Sequence, residues 1–262
     1  MIQFNMKRFK HLAYWTLETD RRWFIKTTLT WTIAFTLIFL LFTCVIQHSN
    51  NGAISYEACA GITTFISIIF FVFGGAYMFQ NFKTKHDDQR FLMLPASNLE
   101  KFLMRYSVWL LLLPCFLLAF VVADIVQWLI NTLLAHDGTM LVMQYLANTA
   151  FDGNWQSDIP RSLGVGIALI FVWLHSVYVV GATFFRSHKY NWVATSLVLI
   201  IGGILLVSLW PNDYFARILD EQTLLHLLYL GDVALVLLIG LNFWLSYKLF
   251  CRQQIVGKIV NL

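Results

Sequence analysis

Charge is the scarcest property of this sequence. Asp, Glu, Lys and Arg make up 12% of its residues, against 59% apolar and 16% aromatic side chains. A soluble domain of 262 residues cannot enclose that much apolar surface in one core, so a soluble globular fold is excluded and an integral membrane protein is expected. Catalytic and cofactor strings are missing as well. Without a GxxxxGK[ST] string the chain has no phosphate-cradling loop for a nucleotide. Neither Gly-x-Ser-x-Gly nor His-Glu-x-x-His occurs, which argues against an intramembrane protease. The four cysteines, Cys44, Cys59, Cys115 and Cys251, show no CxxC or metal-ligand spacing, so neither a metal site nor a catalytic centre is expected. Cys44 and Cys59 flank one short outer loop; buried apolar thiols are their expected state and a disulfide is the alternative.

What the sequence does have is apolar length. Six runs are long enough to cross a hydrocarbon core that needs roughly 20 helical residues: Thr27–Gln47, Ala58–Phe82, Tyr106–Ala135, Ser162–Phe185, Tyr190–Trp210 and Leu224–Tyr247. They do not alternate apolar and polar in segments of about ten residues, as barrel strands would. The expected class is an all-α membrane protein with six transmembrane helices. With the N-terminus inside, Lys7, Arg8, Lys10, Arg21, Arg22 and Lys26, then Lys83, Lys85, Arg90, Lys101 and Arg105, then Arg186 and Lys189, then Lys248, Arg252 and Lys258 all fall on the cytoplasmic side. Only Arg161 and Arg217 fall outside, which places both termini in the cytoplasm. The net charge of +4 follows from those loops and calls for no nucleic acid.

Residues 1–26 carry a second pattern. At about 100° per residue, Met6, Phe9, Leu12, Ala13, Thr16, Leu17, Trp23 and Phe24 share one arc, while Lys7, Arg8, Lys10, His11, Glu18, Arg21 and Arg22 share the other. Such a helix lies in the headgroup layer against the lipid bilayer. Residues 27–250 then form the transmembrane domain, with a polar loop at 83–105, and residues 251–262 form a cytoplasmic tail. In that loop "KHDDQRFLMLPASNLEKFLMRY" describes two helices and a break. Asp87 and Asp88 suit the positive end of a first helix dipole, and Pro95 stops that helix by disfavouring helical geometry at Leu94. Ser97 and Glu100 have capping-box spacing, so a second helix starts there and runs into the third span.

With these elements in place, the chain resembles the permease subunit of a type-2 ABC exporter, and "FLMLPASNLEKFLMRY" is similar to permeases of the Bacteroidetes group. The resemblance implies that residues 1–26 are the elbow helix and that the 83–105 loop contains the coupling helix, which docks on an ABC ATPase subunit. Carried over by position, Asp87, Asp88, Arg90, Phe91, Leu92 and Leu94 match the coupling helix, Pro95 the proline after it, and Arg105 the basic residue where the third span begins. Ser97 and Glu100 fix the turn. The Gly-Thr-x-Glu that usually precedes the coupling helix is absent. The resemblance further implies that ATP and Mg are bound by the partner ATPase and not by this chain. It also implies a second permease copy or a paralogue, with small residues such as Gly61, Gly74, Gly75, Ala76, Gly164, Gly166, Gly202 and Gly203 permitting close helix approach, and a bacterial inner membrane as location.

Three ionisable groups inside the spans, Asp124, His175 and Asp232, are candidates for a transport pathway. A proton-coupled secondary carrier would use such a set and is the alternative reading. Asp124 falls close to the outer interface, where it can snorkel or cap; Asp232 is deeper; His175 fits a satisfied bundle histidine. The outer segment His136–Arg161 mixes "MLVMQYL" with turn residues, which suits a short interfacial helix and a loop. An apolar, aromatic-rich bundle fits a hydrophobic or amphipathic substrate better than sugars or ions.

Overall fold

The structure, a computed structural model, describes residues 4–46, 53–79, 85–134, 139–151, 161–185, 190–209 and 221–252. Within them the chain forms helices and no β-strand: α1 (Met6–Leu40, widening into a π turn at Leu41–Ile46), α2 (Ala53–Phe73, tightening into a 3₁₀ turn at Gly74–Phe79), α3 (Lys85–Leu92), α4 (Asn98–Leu133), α5 (Val142–Phe151), α6 (Arg161–Phe184), α7 (Asn191–Leu209) and α8 (Glu221–Cys251). Helix answers every backbone amide and carbonyl within its own segment, as a bilayer requires. Hydroxyl side chains follow the same rule. Thr28, Thr32, Thr36, Thr43, Thr63 and Ser67 each donate to the carbonyl four residues back.

Among the described residues five stretches are long and apolar enough to cross a membrane: Met6–Cys44, Tyr56–Phe79, Asn98–Leu133, Gly164–Phe184 and His226–Cys251. The sixth expected span corresponds to α7, whose apolar stretch Asn191–Leu205 is shorter than those five. The described part of the 1–26 segment does not form a helix separate from the first span. α1 continues through Lys26–Thr27 without interruption, because neither glycine nor proline occurs between Met6 and Leu40. Its expected apolar arc still has a physical counterpart: Leu12, Thr16 and Phe24 are buried. α4 begins at Asn98, two turns before the apolar run, and tolerates Pro114 in its interior.

The chain divides into two compact units. One holds residues 14–69 and 110–158, where α1 and α4 share an aromatic core: Phe116 meets Trp31 and Phe35 edge to face, and Phe120 meets Phe35 and Phe39. The other holds residues 1–13, 70–109 and 159–262. There α6 is the central element, packing on α7, on α8 and on the 3₁₀ turn. Glycine makes the approach of that turn feasible. A Cβ on Gly74 would collide with the indole of Trp109, and one on Gly75 would stand 2.5 Å from the backbone nitrogen of Val179 on α6. Gly181 of α6 admits Thr195 of α7 in the same way. Gly61, Gly164, Gly202 and Gly203 have no described atom within 4 Å of that position.

Backbone cannot yield as a flexible side chain can. Gly75→Ala is therefore expected to destabilise the protein by about 1–3 kcal/mol, whereas Gly202→Ala should stay within about 0.5 kcal/mol of the parent. Thermal unfolding of the detergent-solubilised variants measures the difference.

Candidate functional site

The α3–α4 turn is held by a single carboxylate. Glu100, in the first turn of α4, is fully buried. Its backbone amide donates to Ser97 Oγ (3.2 Å) while its Oε2 accepts from the Ser97 amide (2.9 Å), so the two residues exchange both capping bonds. The remaining oxygen, Oε1, accepts from the amide of Asn5 (2.6 Å) and from Arg8 Nη2 (3.0 Å). One side chain thus caps α4 and secures the start of α1, where Asn5 Oδ1 in turn accepts the Lys7 amide. At about 54 Å, α4 is longer than a hydrocarbon core of about 30 Å. Its first turn therefore lies ahead of the apolar stretch that begins at Tyr106. Burial by itself would raise the Glu100 carboxyl, but the Ser97 and Asn5 amides and the Arg8 guanidinium outweigh it and hold the group below its usual range.

α3 is tied to the same place from its other side. Lys101 Nζ donates to the Leu92 carbonyl (2.6 Å), an ammonium at the negative end of a helix. The Arg105 guanidinium lies over the Phe91 ring at 4.4 Å. Phe91 is buried and meets Phe250 near the end of α8, which also touches Phe79 and Phe102. Of the expected docking residues, then, Phe91 faces the interior of its own chain. Arg90 and Pro95 are exposed, Leu92 and Leu94 are half-buried, and Ser97 and Glu100 are buried. Met93 is 81% exposed and extends the outward face. The side chains of Asp87 and Asp88 lie outside the described residues.

The three intramembrane groups are not brought together. His175 on α6 is buried, with Nδ1 2.8 Å from the Phe71 carbonyl and Nε2 3.2 Å from Tyr106 Oη. A carbonyl only accepts, so Nδ1 carries the proton and the neutral ring accepts at Nε2 from Tyr106. The Trp109 ring lies tilted against it, with centroids 4.4 Å apart. This histidine has no nitrogen left for a substrate.

Asp124 is likewise occupied. Its carboxylate accepts the amides of Val142 (2.8 Å) and Met143 (2.9 Å), capping α5 from a distant part of the sequence. Gln127 donates to Asp124 and to the Met140 carbonyl, and Asn131 donates to Gln127 and to Thr43. Sequence reasoning missed Gln127 and Asn131, although their spacing from Asp124 by three and seven residues marks one helix face. Cys44 donates to Asn131, and both Cys44 and Cys59 are free thiols.

Asp232 differs from both. It is half-buried on α8, beside Gly166 of α6, on which a Cβ would stand 3.1 Å from Asp232 Oδ1. No described residue donates a hydrogen bond to it or forms an ion pair with it. Among the described residues no group of three His, Cys, Asp or Glu side chains could hold a metal. Comparison with known proteins finds no counterpart: no family model, no curated protein and no solved structure matches the chain.

Glu100→Ala strips the acceptor from three donors and should cost about 1–3 kcal/mol, against about 0–1 kcal/mol for Arg8→Ala, whose side chain is 38% exposed. Because the Glu100 pKa is lowered on folding, its contribution is complete above the unfolded carboxylate value of about 4.3 and disappears as pH falls through the lower folded value. Thermal melts between neutral and acidic pH should therefore converge for parent and Glu100→Gln only on the acid side. Asp124→Ala removes the cap of α5, and hydrogen exchange should show faster amide exchange across Val142–Phe151, with α3 unaffected.

Proposed function

We propose that the chain is the membrane-spanning permease subunit of an ATP-driven exporter of the type-2 ABC kind. It spans a bacterial inner membrane six times, α7 included, with both termini in the cytoplasm. The carrying observation is the attachment of α3. A short helix at the cationic end of the bundle is fixed to α4 through Lys101 and Arg105 and to α8 through Phe91 and Phe250, and α4 is in turn bonded to the start of α1 through Glu100. A force applied to α3 therefore reaches three long helices through close-packed contacts, which is what a coupling helix requires. Arg90, Met93 and Pro95 provide its outward face. The energy comes from ATP and Mg bound to a separate ATPase chain, because this sequence has no nucleotide loop. Six spans make half a pathway, so a second copy or a paralogue completes it around a hydrophobic or amphipathic substrate.

The carrier alternative would need several free titratable groups along the spans. The structural engagement of Asp124 and His175 leaves it Asp232, which keeps that reading as the one to test against.

The test is co-purification of the tagged chain in detergent from its native host, with mass spectrometry and an ATPase assay. A stoichiometric partner bearing a Walker motif is expected. Neutralising Asp87, Asp88 and Arg90 together should uncouple hydrolysis from transport while the permease remains folded. A chain that emerges alone and moves protons through Asp232 would overturn the reading.

A further inference from the structure

The three intramembrane ionisable groups separate by what answers them. Two are engaged by the chain itself. No described residue engages Asp232, and its position makes this costly. It lies about 17 Å along α8 from Glu221 at 1.5 Å per residue, inside the apolar stretch His226–Cys251. A carboxylate at such depth is expensive unless a cation or donor meets it. The surroundings also have a definite character. On α6, Val165, Ile167 and Ile170 are exposed, and on α8 Leu230, Val233, Val236 and Leu237 are exposed. Between them the surface is cut back: Gly166 stands against the carboxylate, and Gly164 and Gly231 have no atom within 4 Å of a Cβ position. One negative charge is set in a wide apolar surface with room beside it.

We propose that Asp232 and the adjoining α6–α8 surface bind a lipophilic cation, its positive group on the carboxylate and its apolar body along the two helices. This rests on the permease reading and narrows its substrate to amphiphiles of positive charge. Complementarity decides between occupants. An anionic amphiphile would be repelled, and a neutral one would leave the carboxylate unanswered. In a second copy the described Lys and Arg lie toward the ends of the spans, as Lys248 does three residues before the end of His226–Cys251, away from the depth of Asp232, so a copy supplies no counter-charge there.

The experiment uses the purified full-length chain in detergent without an ATPase. Binding of radiolabelled tetraphenylphosphonium is measured by equilibrium dialysis, with tetraphenylborate as the anionic counterpart of the same shape. Parent protein should bind the phosphonium in preference to the borate. Asp232→Asn should weaken phosphonium binding by about tenfold or more, the range of a lost charge-assisted contact. Gly166→Leu should also weaken it, by filling the space while keeping the charge. Asp124→Asn serves as the control for a carboxylate already engaged and should leave binding unchanged. Monodisperse elution and unaltered tryptophan fluorescence show that each variant is folded.

Equal phosphonium binding by parent and Asp232→Asn overturns the proposal, as does indifference to the sign of the probe's charge. Co-purification of a membrane protein whose cationic span is released by Asp232→Asn would also overturn it, assigning the site to a helix. If phosphonium binding fails but a Walker-containing partner co-purifies, the site is lost and the permease reading stands. If binding succeeds and no ATPase is found, the permease reading falls alone.

Discussion

A hydrocarbon core supplies no water, so a polar group inside it must be answered by the chain or by something bound to the chain. Much of this structure follows from that constraint. The threonines and serines return their hydroxyls to carbonyls one turn back. His175 uses one nitrogen on the Phe71 carbonyl and the other on Tyr106, which fixes its tautomer and keeps the ring neutral. Asp124 is placed where two amides of α5 converge on it, and a ladder of Gln127 and Asn131 connects that cap to the end of α1. These groups look like transport machinery in a list of residues and like joinery once their partners are known.

The same accounting operates in a different form at the start of α4, in the unit that holds residues 70–109. Glu100, Lys101 and Arg105 are all buried within two turns of α4, an arrangement that would be ruinous if the charges were unanswered. Each instead meets a specific partner: backbone amides and Arg8 for the carboxylate, the open carbonyl of α3 for the ammonium, an aromatic face for the guanidinium. The result is a rigid junction. The strength of the attachment of α3 comes from charges that the short helix itself does not carry.

How much of this could be read beforehand depended on range along the chain. The Ser97–Glu100 pair was legible because both capping partners lie within three residues of one another. The proline break after α3 and the short helix at "MLVMQYL" were legible for the same reason. Asn5 and Arg8 were not assigned to Glu100, since nothing local distinguishes an arginine bound to that carboxylate from one that merely marks the inner face. The division of α1 at residue 26 was drawn where composition changes from charged to apolar. Helical continuity depends on the backbone, however, and without glycine or proline the backbone had no cause to stop. Gly74 and Gly75 were recognised as small, but their separation from Gly202 and Gly203 required knowing which of them face Trp109 and Val179.

The wide turn at the end of α1 has a consequence for sequence length. A π turn accommodates more residues per hydrogen-bonded loop than an α-helix, and Leu41–Ile46 is where Thr43 and Cys44, neighbours in sequence, both reach Asn131. The two side chains take opposite ends of that amide: Asn131 Nδ2 donates to Thr43 Oγ1, and Cys44 Sγ donates to Asn131 Oδ1. Removing a position ahead of Thr43 in that stretch would leave composition and hydropathy nearly unchanged, yet it would rephase Thr43 and Cys44 and weaken the link between the end of α1 and the polar ladder on α4.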